Sequence, residues 1–493
     1  MHLKLTLAAI LTAIVTLEAA AQIYDSSFVG IHQTESEYYS GAYDTIVLPG
    51  KVSYETPAML ERRKGGDPSF MVYGWHPYWA NASAYLSYDY DLLTHIAYFS
   101  FEVDTATGAY STLRGWDSTP VISYAHTRGV KVMLTVTNFG LARNTELLTD
   151  TVKQWTLINA LVYQLKSRNG DGVNFDFESV PSAMKTNMVS FCKRAVKGIK
   201  AELPQAEISL ATPAVNWSDG WDLKALAETC DYIIMMGYNY YWSGSSTAGP
   251  VAPLAGENYN ITRSIGEDYL DAGVPQGKLL LGVPWYGYDW PVTGSSRKST
   301  TTGTGTSRTY ISTLSYVNSY GKSFDDATSV PWLSYQNTTG WRQMWFEDSL
   351  SINMKTDLAL SINLAGIGIW ALSYEAGRPE LWQSIKSAVS GTTSSEYEVT
   401  MDDPTGNKIL SIVPNPVTDR SFVRYSISRT CRFTLTVYNT EGQVVRSLAG
   451  GMAEPGIYTA ILDAEALEQG LYICVLTTPA GRSSAKFAMA KIR

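Results

Sequence analysis

The sequence predicts an α/β fold: a (β/α)8 TIM barrel with a small insertion between strands 7 and 8, followed by a C-terminal all-β sandwich. Two observations support this prediction. Short apolar runs alternate with helix-like segments across residues 69–390, and residues 409–493 contain only short β-runs separated by turns. A doubly wound parallel sheet is the alternative interpretation of the same alternation.

Eight apolar runs are the candidate barrel strands. They are Phe70–Trp75, His95–Phe101, Val130–Val136, Gly172–Glu178, Ile208–Ala211, Tyr232–Gly237, Leu279–Pro284 and Gly366–Trp370. The connections between most of them read as helices. In Ser182–Leu203, for example, apolar residues recur on one face and lysines on the other.

The connection between the seventh and eighth runs is too long for a simple helix, so residues 291–346 are predicted to form an insertion. It opens with a Thr/Ser/Gly stretch over residues 293–307, which is expected to be a mobile loop. The remainder contains strand-like and aromatic pieces at Thr309–Val317, Trp332–Tyr335 and Trp341–Trp345.

The N-terminal region and the linker indicate the cellular location and the domain boundaries of the protein. Residues 1–21 combine a basic start, an apolar run and small residues before Gln22, which is typical of a signal peptide. Residues 22–68 are polar and Tyr-rich and read as a loosely packed N-terminal arm, whereas residues 391–408 read as a linker. No later stretch is long and apolar enough to form a transmembrane segment.

Charge and cysteine content restrict the possible partners. A net charge of −8 and a pI near 5.3 argue against nucleic acid. Four cysteines in an exported chain permit disulfides without requiring them. Cys431 and Cys474 lie in two strand-like runs of one small domain and could form a bridge, whereas a bridge between Cys192 and Cys230 is left open. None of the four cysteines has metal-ligand spacing.

The octapeptide from Asp171 to Glu178 carries the chemistry. On a β-strand, Asn174, Asp176 and Glu178 share one face, and apolar residues occupy the other. Two carboxyls this close oppose each other's ionisation, which raises the pKa of one of them as a general acid requires. The alternative is a surface strand with ordinary polar alternation, or a hydrogen-bonded group in the core.

This pattern, Asp-Gly-x-(Asp/Asn)-x-Asp-x-Glu, resembles the strand-four signature of glycoside hydrolase family 18, the chitinase-like enzymes. The resemblance extends through residues 69–390. Met236 to Asn239 is similar to the family's Met-x-Tyr-(Asp/Asn) element, Gly282 to Gly287 to its seventh strand, and Gly366 to Trp370 to its eighth. All these pieces fall at C-terminal strand ends, where barrel active sites lie.

The resemblance implies substrate-assisted hydrolysis with retention of configuration. Glu178 is the expected general acid and then the base, and the substrate's own 2-acetamido group attacks the anomeric carbon. Asp176 is expected to bind the acetamido N–H and stabilise an oxazolinium intermediate. Tyr238 would orient the acetamido oxygen, and Trp370 would stack beneath the sugar. No cofactor and no metal are implied.

Two departures from the family pattern bear on the substrate. Asn174 stands where many members have Asp; it is expected to remain a hydrogen-bond partner of Asp176. The third run ends at Asn138 without the common Ser-x-Gly-Gly. With the segments around Trp75 and Tyr286, this resembles the bacterial spore-lytic and peptidoglycan-cleaving branch, so chitin is not assumed. The predicted substrate-binding set is Trp370, Asn174, Asn239, Met236, Tyr286, Trp75 and Asn138.

The C-terminal region has its own resemblance. Val413-Pro-Asn-Pro-Val-Thr-Asp419 and the terminal strands resemble the sorting domain of the Bacteroidetes type IX secretion system. The resemblance implies a protein that is secreted or attached to the outer surface after contact with that machinery. A carbohydrate-binding β-sandwich is the alternative, but residues 409–493 contain no Trp for a sugar-binding row.

Three functions are compatible with the sequence. The first is a monomeric hydrolase acting on N-acetylglucosamine-containing glycans such as chitin-type oligosaccharides or peptidoglycan. The second is a catalytically silent chitinase-like carbohydrate-binding protein at the cell surface, although silent members often lack the acid that Glu178 supplies. The third is a surface adhesin, for which no residue gives positive support. The hydrolase is the preferred interpretation.

Overall fold

The structure, a computed structural model, describes residues 29–40, 70–390, 406–413, 415–417, 420–464 and 467–489. Its centre is a closed barrel of parallel strands, in which the first strand pairs with both the second and the eighth. This closure excludes the doubly wound sheet. The barrel strands are Met71–Pro77, His95–Val103, Lys131–Phe139, Gly172–Glu178, Glu207–Pro213, Tyr232–Met236, Leu279–Pro284 and Gly366–Trp370.

All the candidate strand runs fall on these barrel strands, with boundary differences of a few residues. A short strand, Tyr110–Thr112, pairs with the second strand outside the barrel ring. The helices that cover the barrel bury apolar side chains against the strands. They are Val121–His126, Leu141–Thr149, Thr151–Arg168, Lys185–Glu202, Leu223–Thr229, Ile261–Arg263 with its π-helical continuation Ser264–Leu270, Ser349–Ser361 and Glu380–Ser390.

The insertion is a five-stranded antiparallel sheet with one helix, Tyr310–Tyr320. Its strands are Tyr286–Val292, Thr306–Thr309, Ser323–Asp325, Val330–Asn337 and Gly340–Trp345. The sheet therefore begins at Tyr286, before the predicted start at residue 291. Thr309–Val317 was predicted to be strand-like, and this was wrong: Tyr310 and Thr313 are three residues apart and are both buried on one face of the helix.

The Thr/Ser/Gly stretch over residues 293–307 is held against the rest of the insertion. Thr300 bridges to Thr247, and Thr301 bridges to Val292. The expected mobile loop is therefore tied to two neighbouring segments.

The N-terminal arm contains a helix, Ile31–Ser40, which we call the N-terminal helix. The expectation of a loosely packed arm was wrong for these residues. Ile31, His32, Glu35 and Ser36 are buried, and their spacing places them on one helical face. The predicted signal peptide, the rest of the arm, and the linker as far as residue 405 lie outside the described residues.

The C-terminal domain is a sandwich of a three-stranded and a four-stranded antiparallel sheet. Its strands are Lys408–Val413, Arg420–Ile427, Cys431–Asn439, Val444–Ala453, Gly456–Asp463, Gly470–Thr478 and Gly481–Met489. No helix among the described residues is long and apolar enough to cross a membrane.

The suggested bridge between Cys431 and Cys474 is absent, because both cysteines are free and buried. Cys474 pairs across the sheet with Val437. Cys431 lies six residues further along that strand, roughly 20 Å away at the rise of an extended chain. A disulfide spans only about 6 Å between Cα atoms. Cys192 and Cys230 are also free and buried.

Candidate active site

The fourth barrel strand, Gly172–Glu178, places two carboxyls inside the barrel. Its register is fixed on both sides, since Asp176 pairs with Thr137 of the third strand and Ala211 of the fifth. Phe175 and Phe177 point to the opposite face, where their rings pack on Phe191 of the following helix. The alternation predicted from the sequence therefore directs the polar side chains inward.

Asp176 and Glu178 are both buried, with exposures of 0% and 6%. Burial, reinforced by the charge of Asp176 and of Glu37, raises the pKa of Glu178 well above its usual range. Among the described residues, Asp176 Oδ1 and Glu178 Oε1 have no hydrogen-bond partner. The pair thus offers a protonated acid beside a carboxyl that has one free acceptor atom.

Aromatic rings surround these carboxyls. Trp370, the last residue of the eighth strand, is fully buried, and its ring lies 6.1 Å from that of Trp75 on the first strand. Phe99 of the second strand meets Trp370 edge-on at 5.1 Å. Three strands therefore supply one aromatic wall at the C-terminal end of the barrel.

The sixth strand supplies the opposite side. Met236 ends this strand and is half-buried, while Tyr238 is buried two residues later. Asn239 adopts a left-handed backbone conformation (φ 62°) and accepts a hydrogen bond from the hydroxyl of Tyr286. Burial raises the pKa of Tyr238 well above its usual range, so its hydroxyl keeps the proton.

Two predicted site residues form hydrogen bonds with groups other than the catalytic carboxyl side chains. Asn174 accepts from Trp75 Nε1 and donates to Ser209 Oγ, both at 3.0 Å. The expected bond from Asn174 to Asp176 was wrong. Asn174 lies two residues before Asp176 and therefore deeper in the barrel, at the level of Ser209, with which it pairs in register. Its amide forms hydrogen bonds at that level with Ser209 and Trp75.

Asn138 is the second of these residues. It is buried, and its amide donates to Asn144 Oδ1 at 2.9 Å. Asn144 in turn donates to the main-chain oxygen of Glu178. Asn138 therefore helps to position the end of the fourth strand, while its own Oδ1 has no hydrogen-bond partner among the described residues. Its contact with the substrate stays a prediction.

The N-terminal helix lies directly against this site, which sequence reasoning missed. His32 Nδ1 is 2.7 Å from Asp176 Oδ2, and His32 Nε2 is 2.8 Å from the hydroxyl of Tyr238. The imidazole stacks on Trp370 with ring centroids 3.6 Å apart. One side chain thus contacts three of the predicted functional residues.

Glu35, one turn further along, contacts the same wall. Its carboxylate accepts from Trp370 Nε1 at 3.0 Å and from the hydroxyl of Tyr374. Burial raises the pKa of Glu35 to about 7, although these hydrogen bonds oppose the rise. The sequence signal for this buried helical face was the i, i+4 spacing of Ile31 with Glu35 and of His32 with Ser36.

A metal ion is one further chemical possibility for this cluster. One ligand atom each from His32, Asp176 and Glu178 lies within 4.8 Å of the others. Both ring nitrogens of His32 already have hydrogen-bond partners. The donor set therefore reads as a hydrogen-bond network rather than a coordination shell.

Comparison with known proteins identifies two families along the chain. The model for glycosyl hydrolases family 18 matches residues 71–375, and the model for the secretion system C-terminal sorting domain matches residues 411–490. The first match covers the barrel and the second covers the sandwich.

Curated relatives match the barrel. They include the putative sporulation-specific glycosylase YdhD of Bacillus subtilis, 27% identical over 50% of this chain and 58% of its own length. The di-N-acetylchitobiase of Rattus norvegicus is 24% identical over 58% of this chain and 77% of its own. The cortical fragment-lytic enzyme of Bacillus subtilis is 25% identical over 59% of this chain and 66% of its own length. The chain thus spans little more than half the length of YdhD.

Solved structures share the fold. The Group IV chitinase of Ostrinia furnacalis superposes with a TM-score of 0.59 at 18% identity, covering 65% of this chain and 100% of its own. The C-terminal domain of a putative chitinase from Desulfitobacterium hafniense has a TM-score of 0.55 at 23% identity, with coverage of 65% and 100%.

Proposed function

The chain belongs to glycosyl hydrolase family 18, and from this premise we propose that it is a retaining glycoside hydrolase of β-linked N-acetylglucosamine glycans. One observation carries the proposal. Asp176, Glu178, Tyr238 and Trp370 come from three different strands or strand ends and converge at the C-terminal end of the barrel, where barrel enzymes bind substrate.

In the proposed reaction, Glu178 donates its proton to the glycosidic oxygen as the bond to the anomeric carbon breaks. The 2-acetamido oxygen of the same sugar forms the new bond to that carbon, which gives an oxazolinium ion. Glu178, now a carboxylate, accepts a proton from water as the water opens this ring. Two inversions at one carbon give overall retention.

The other residues act on the charge and position of the acetamido group. Asp176 accepts its N–H and stabilises the positive charge of the oxazolinium. Tyr238 donates to the acetamido oxygen and orients it for attack. Trp370 stacks against the sugar. Trp75 contacts the ring of Trp370 and Tyr286 contacts that of Tyr238, each edge-on at 6.1 Å, and both stay predicted substrate-binding residues. The mechanism therefore requires an N-acetyl group on the cleaved sugar.

Chitin-type oligosaccharides and peptidoglycan are the proposed substrates. The names of the relatives support both, since they include a di-N-acetylchitobiase and a cortical fragment-lytic enzyme. Both polymers present the 2-acetamido sugar that Asp176 and Tyr238 are proposed to bind.

Mass spectrometry of the products tests this proposal. The full chain and its His32→Ala variant, which lacks the imidazole bonded to Asp176 and Tyr238, are incubated with N-acetylglucosamine oligomers, peptidoglycan fragments and N-glycopeptides. We expect cleavage of the N-acetylglucosamine oligomers or of the peptidoglycan fragments. NMR of the reaction should show the β-anomer as the initial product. Glu178→Gln is the matched control.

The result also separates the hydrolase from the silent carbohydrate-binding protein. If His32→Ala binds the oligomers but leaves every substrate intact, the protein is a binding protein and the hydrolase proposal is wrong. The presence of Glu178, Asp176 and Tyr238 together supports the hydrolase.

We further infer that residues 1–21 act as a signal peptide for the first export step and that the C-terminal sandwich then directs type IX export. The match of residues 411–490 to a secretion sorting domain supports this inference. Deletion of residues 409–493 should retain the protein inside the cell envelope. Immunoblotting of the medium and the cell surface checks it, and unchanged export would contradict it.

A further inference from the structure

The side chain of His32 reproduces the contacts that the mechanism gives to the substrate. An imidazole with its proton on Nδ1 donates to Asp176 Oδ2 and accepts from the hydroxyl of Tyr238 while it stacks on Trp370. The proposed acetamido group makes the same contacts: its N–H with Asp176 and its oxygen with Tyr238.

The likeness extends to the shape of the intermediate. In an oxazolinium ring, the nitrogen and the oxygen are separated by one carbon of a five-membered ring. In an imidazole, Nδ1 and Nε2 are separated by one carbon in the same way. His32 therefore presents a flat five-membered ring with its donor and acceptor facing the residues that would bind the intermediate.

We propose that the N-terminal helix is an intrachain inhibitor, in which His32 occupies the oxazolinium position and excludes substrate until the helix is displaced. This proposal rests on the proposed function, because it takes the roles of Asp176, Tyr238 and Trp370 from that mechanism.

Steric exclusion supports the proposal independently of hydrogen bonding. The imidazole lies 3.6 Å from the ring of Trp370, so no sugar can stack on that face at the same time. Gly30 lies against the catalytic acid, and a Cβ added there would be 1.7 Å from Glu178 Oε2. A glycine at this position lets the main chain cover the acid.

Further contacts hold the helix along its length. Glu35 accepts from Trp370 and Tyr374, and the ring of Tyr39 stacks on Trp79 at 4.8 Å. The hydroxyl of Tyr78 donates to the main-chain oxygen of Ser36 at 3.3 Å. These contacts span more than one turn, so the helix covers the aromatic wall as well as the two carboxyls.

Removal of the helix would break no main-chain pairing of the barrel, since none of the described hydrogen bonds between them joins main chain to main chain. A helix of ten residues is marginal alone in water, so its stability comes from the barrel surface. A covalent connection makes rebinding of such a segment intramolecular. Cutting the connection makes rebinding depend on the protein concentration, which weakens docking.

Binding of chitotriose, measured by calorimetry, tests the proposal without relying on turnover. All proteins are full chains that carry Glu178→Gln, with a recognition sequence for a site-specific protease inserted between residues 50 and 51. We expect cutting at this site to tighten chitotriose binding by about tenfold or more.

Single substitutions provide the matched comparison. His32→Ala removes two hydrogen bonds and a stacked ring, and should tighten binding of the uncut chain about tenfold or more. Gly30→Ala places a Cβ against the end of the residue 178 side chain, which can shift, so it should tighten binding less than His32→Ala does. Gln33→Ala, one residue from His32 and bonded to Glu37 on the outer side of the helix, should leave binding unchanged.

Adding back the helix controls for damage to the fold. A synthetic peptide of residues 29–40 should compete with chitotriose for the cut chain, whereas the His32→Ala peptide should compete about tenfold more weakly. Equal chitotriose affinity before and after cutting, or equal competition by both peptides, would overturn the inhibitor. If no form of the protein binds chitotriose and the chains that retain Glu178 cleave no substrate in the product analysis, the proposed function fails instead.

Discussion

Two elements bring polar groups to the centre of this site, and they are held there in different ways. The fourth strand contributes Asp176 and Glu178 and is paired on both sides through its main chain. The N-terminal helix contributes His32 and Glu35, and none of its described hydrogen bonds to the barrel joins main chain to main chain. The strand cannot leave without opening the barrel, whereas undocking of the helix would break no main-chain pairing of the barrel.

This difference separates catalysis from its control. The strand keeps its two carboxyls close whether or not the helix is docked. In the docked structure, burial and the charges of Asp176 and Glu37 raise the pKa of Glu178. The helix offers partners to the same carboxyl pair, but only while it is docked. Changes in the strand should therefore affect the chemical step, and changes in the helix should affect access to the site.

The largest expected effect is that of Glu178→Gln in the strand. The amide cannot donate the catalytic proton, so kcat should fall by about 10²–10⁴-fold. The melting temperature should not fall, because burial already favours the uncharged form of this side chain. Calorimetry and initial rates on the His32→Ala background measure both. A large loss of stability would mean that Glu178 is a structural residue.

Asp176→Asn should have the next largest effect, a loss of kcat of about 10²–10³-fold, since the amide cannot balance the positive charge of the oxazolinium. The charge of Asp176 contributes to the raised pKa of Glu178, so its removal lowers that pKa. The acid is active when protonated. The alkaline limb of the pH–rate profile should therefore move to lower pH, and an unmoved limb would contradict the coupling.

The sequence predicted the strand well and the helix poorly, for a physical reason. Alternation at period two makes Asn174, Asp176 and Glu178 face the same way whatever surrounds them. The role of Asn174 still depended on its neighbours, Trp75 and Ser209, which come from other strands.

The helix lacked such a local signal. His32 lies 144 residues from Asp176 in sequence, and its partner was determined by how the chain folds back. Its i, i+4 pattern indicates a buried helical face but does not identify the surface that buries it. The insertion helix, Tyr310–Tyr320, was missed for a related reason: tertiary contacts outweighed the strand preference of its Tyr, Ile and Val residues.

The pH dependence of docking sharpens the contrast between strand and helix. Burial raises the pKa of Glu35 from 4.5 to about 7 when the helix is docked. Docking therefore favours the protonated form: it is strongest below pH 4.5 and weakens as the pH rises through about 7. The difference between these two pKa values limits the weakening to ~300-fold.

Chitotriose binding to the uncut chain on the Glu178→Gln background should accordingly tighten between pH 5 and pH 7.5. Glu35→Gln should reduce this dependence, and Glu37→Gln, exposed on the same helix, should not. The other titratable groups around Glu35 are present in both the Glu35→Gln and the Glu37→Gln variant, so their contributions to the pH dependence cancel when the two are compared. These groups are His32, Tyr39, Asp176, Tyr238, Tyr286, Tyr288 and Tyr374. An identical pH dependence in both variants would show that Glu35 does not control docking.

The smallest expected effect lies at the far end of the helix. Tyr39→Ala removes a stacked pair with Trp79, which is worth about 0.5–1.5 kcal/mol beyond the buried area. Chitotriose binding to the uncut chain should tighten by roughly 2–10-fold, less than for His32→Ala, because the contacts to the carboxyls remain. Tyr38→Ala, 66% exposed on the adjacent position, is the control. If Tyr39→Ala matches His32→Ala, the helix undocks as one unit and His32 is not its principal anchor.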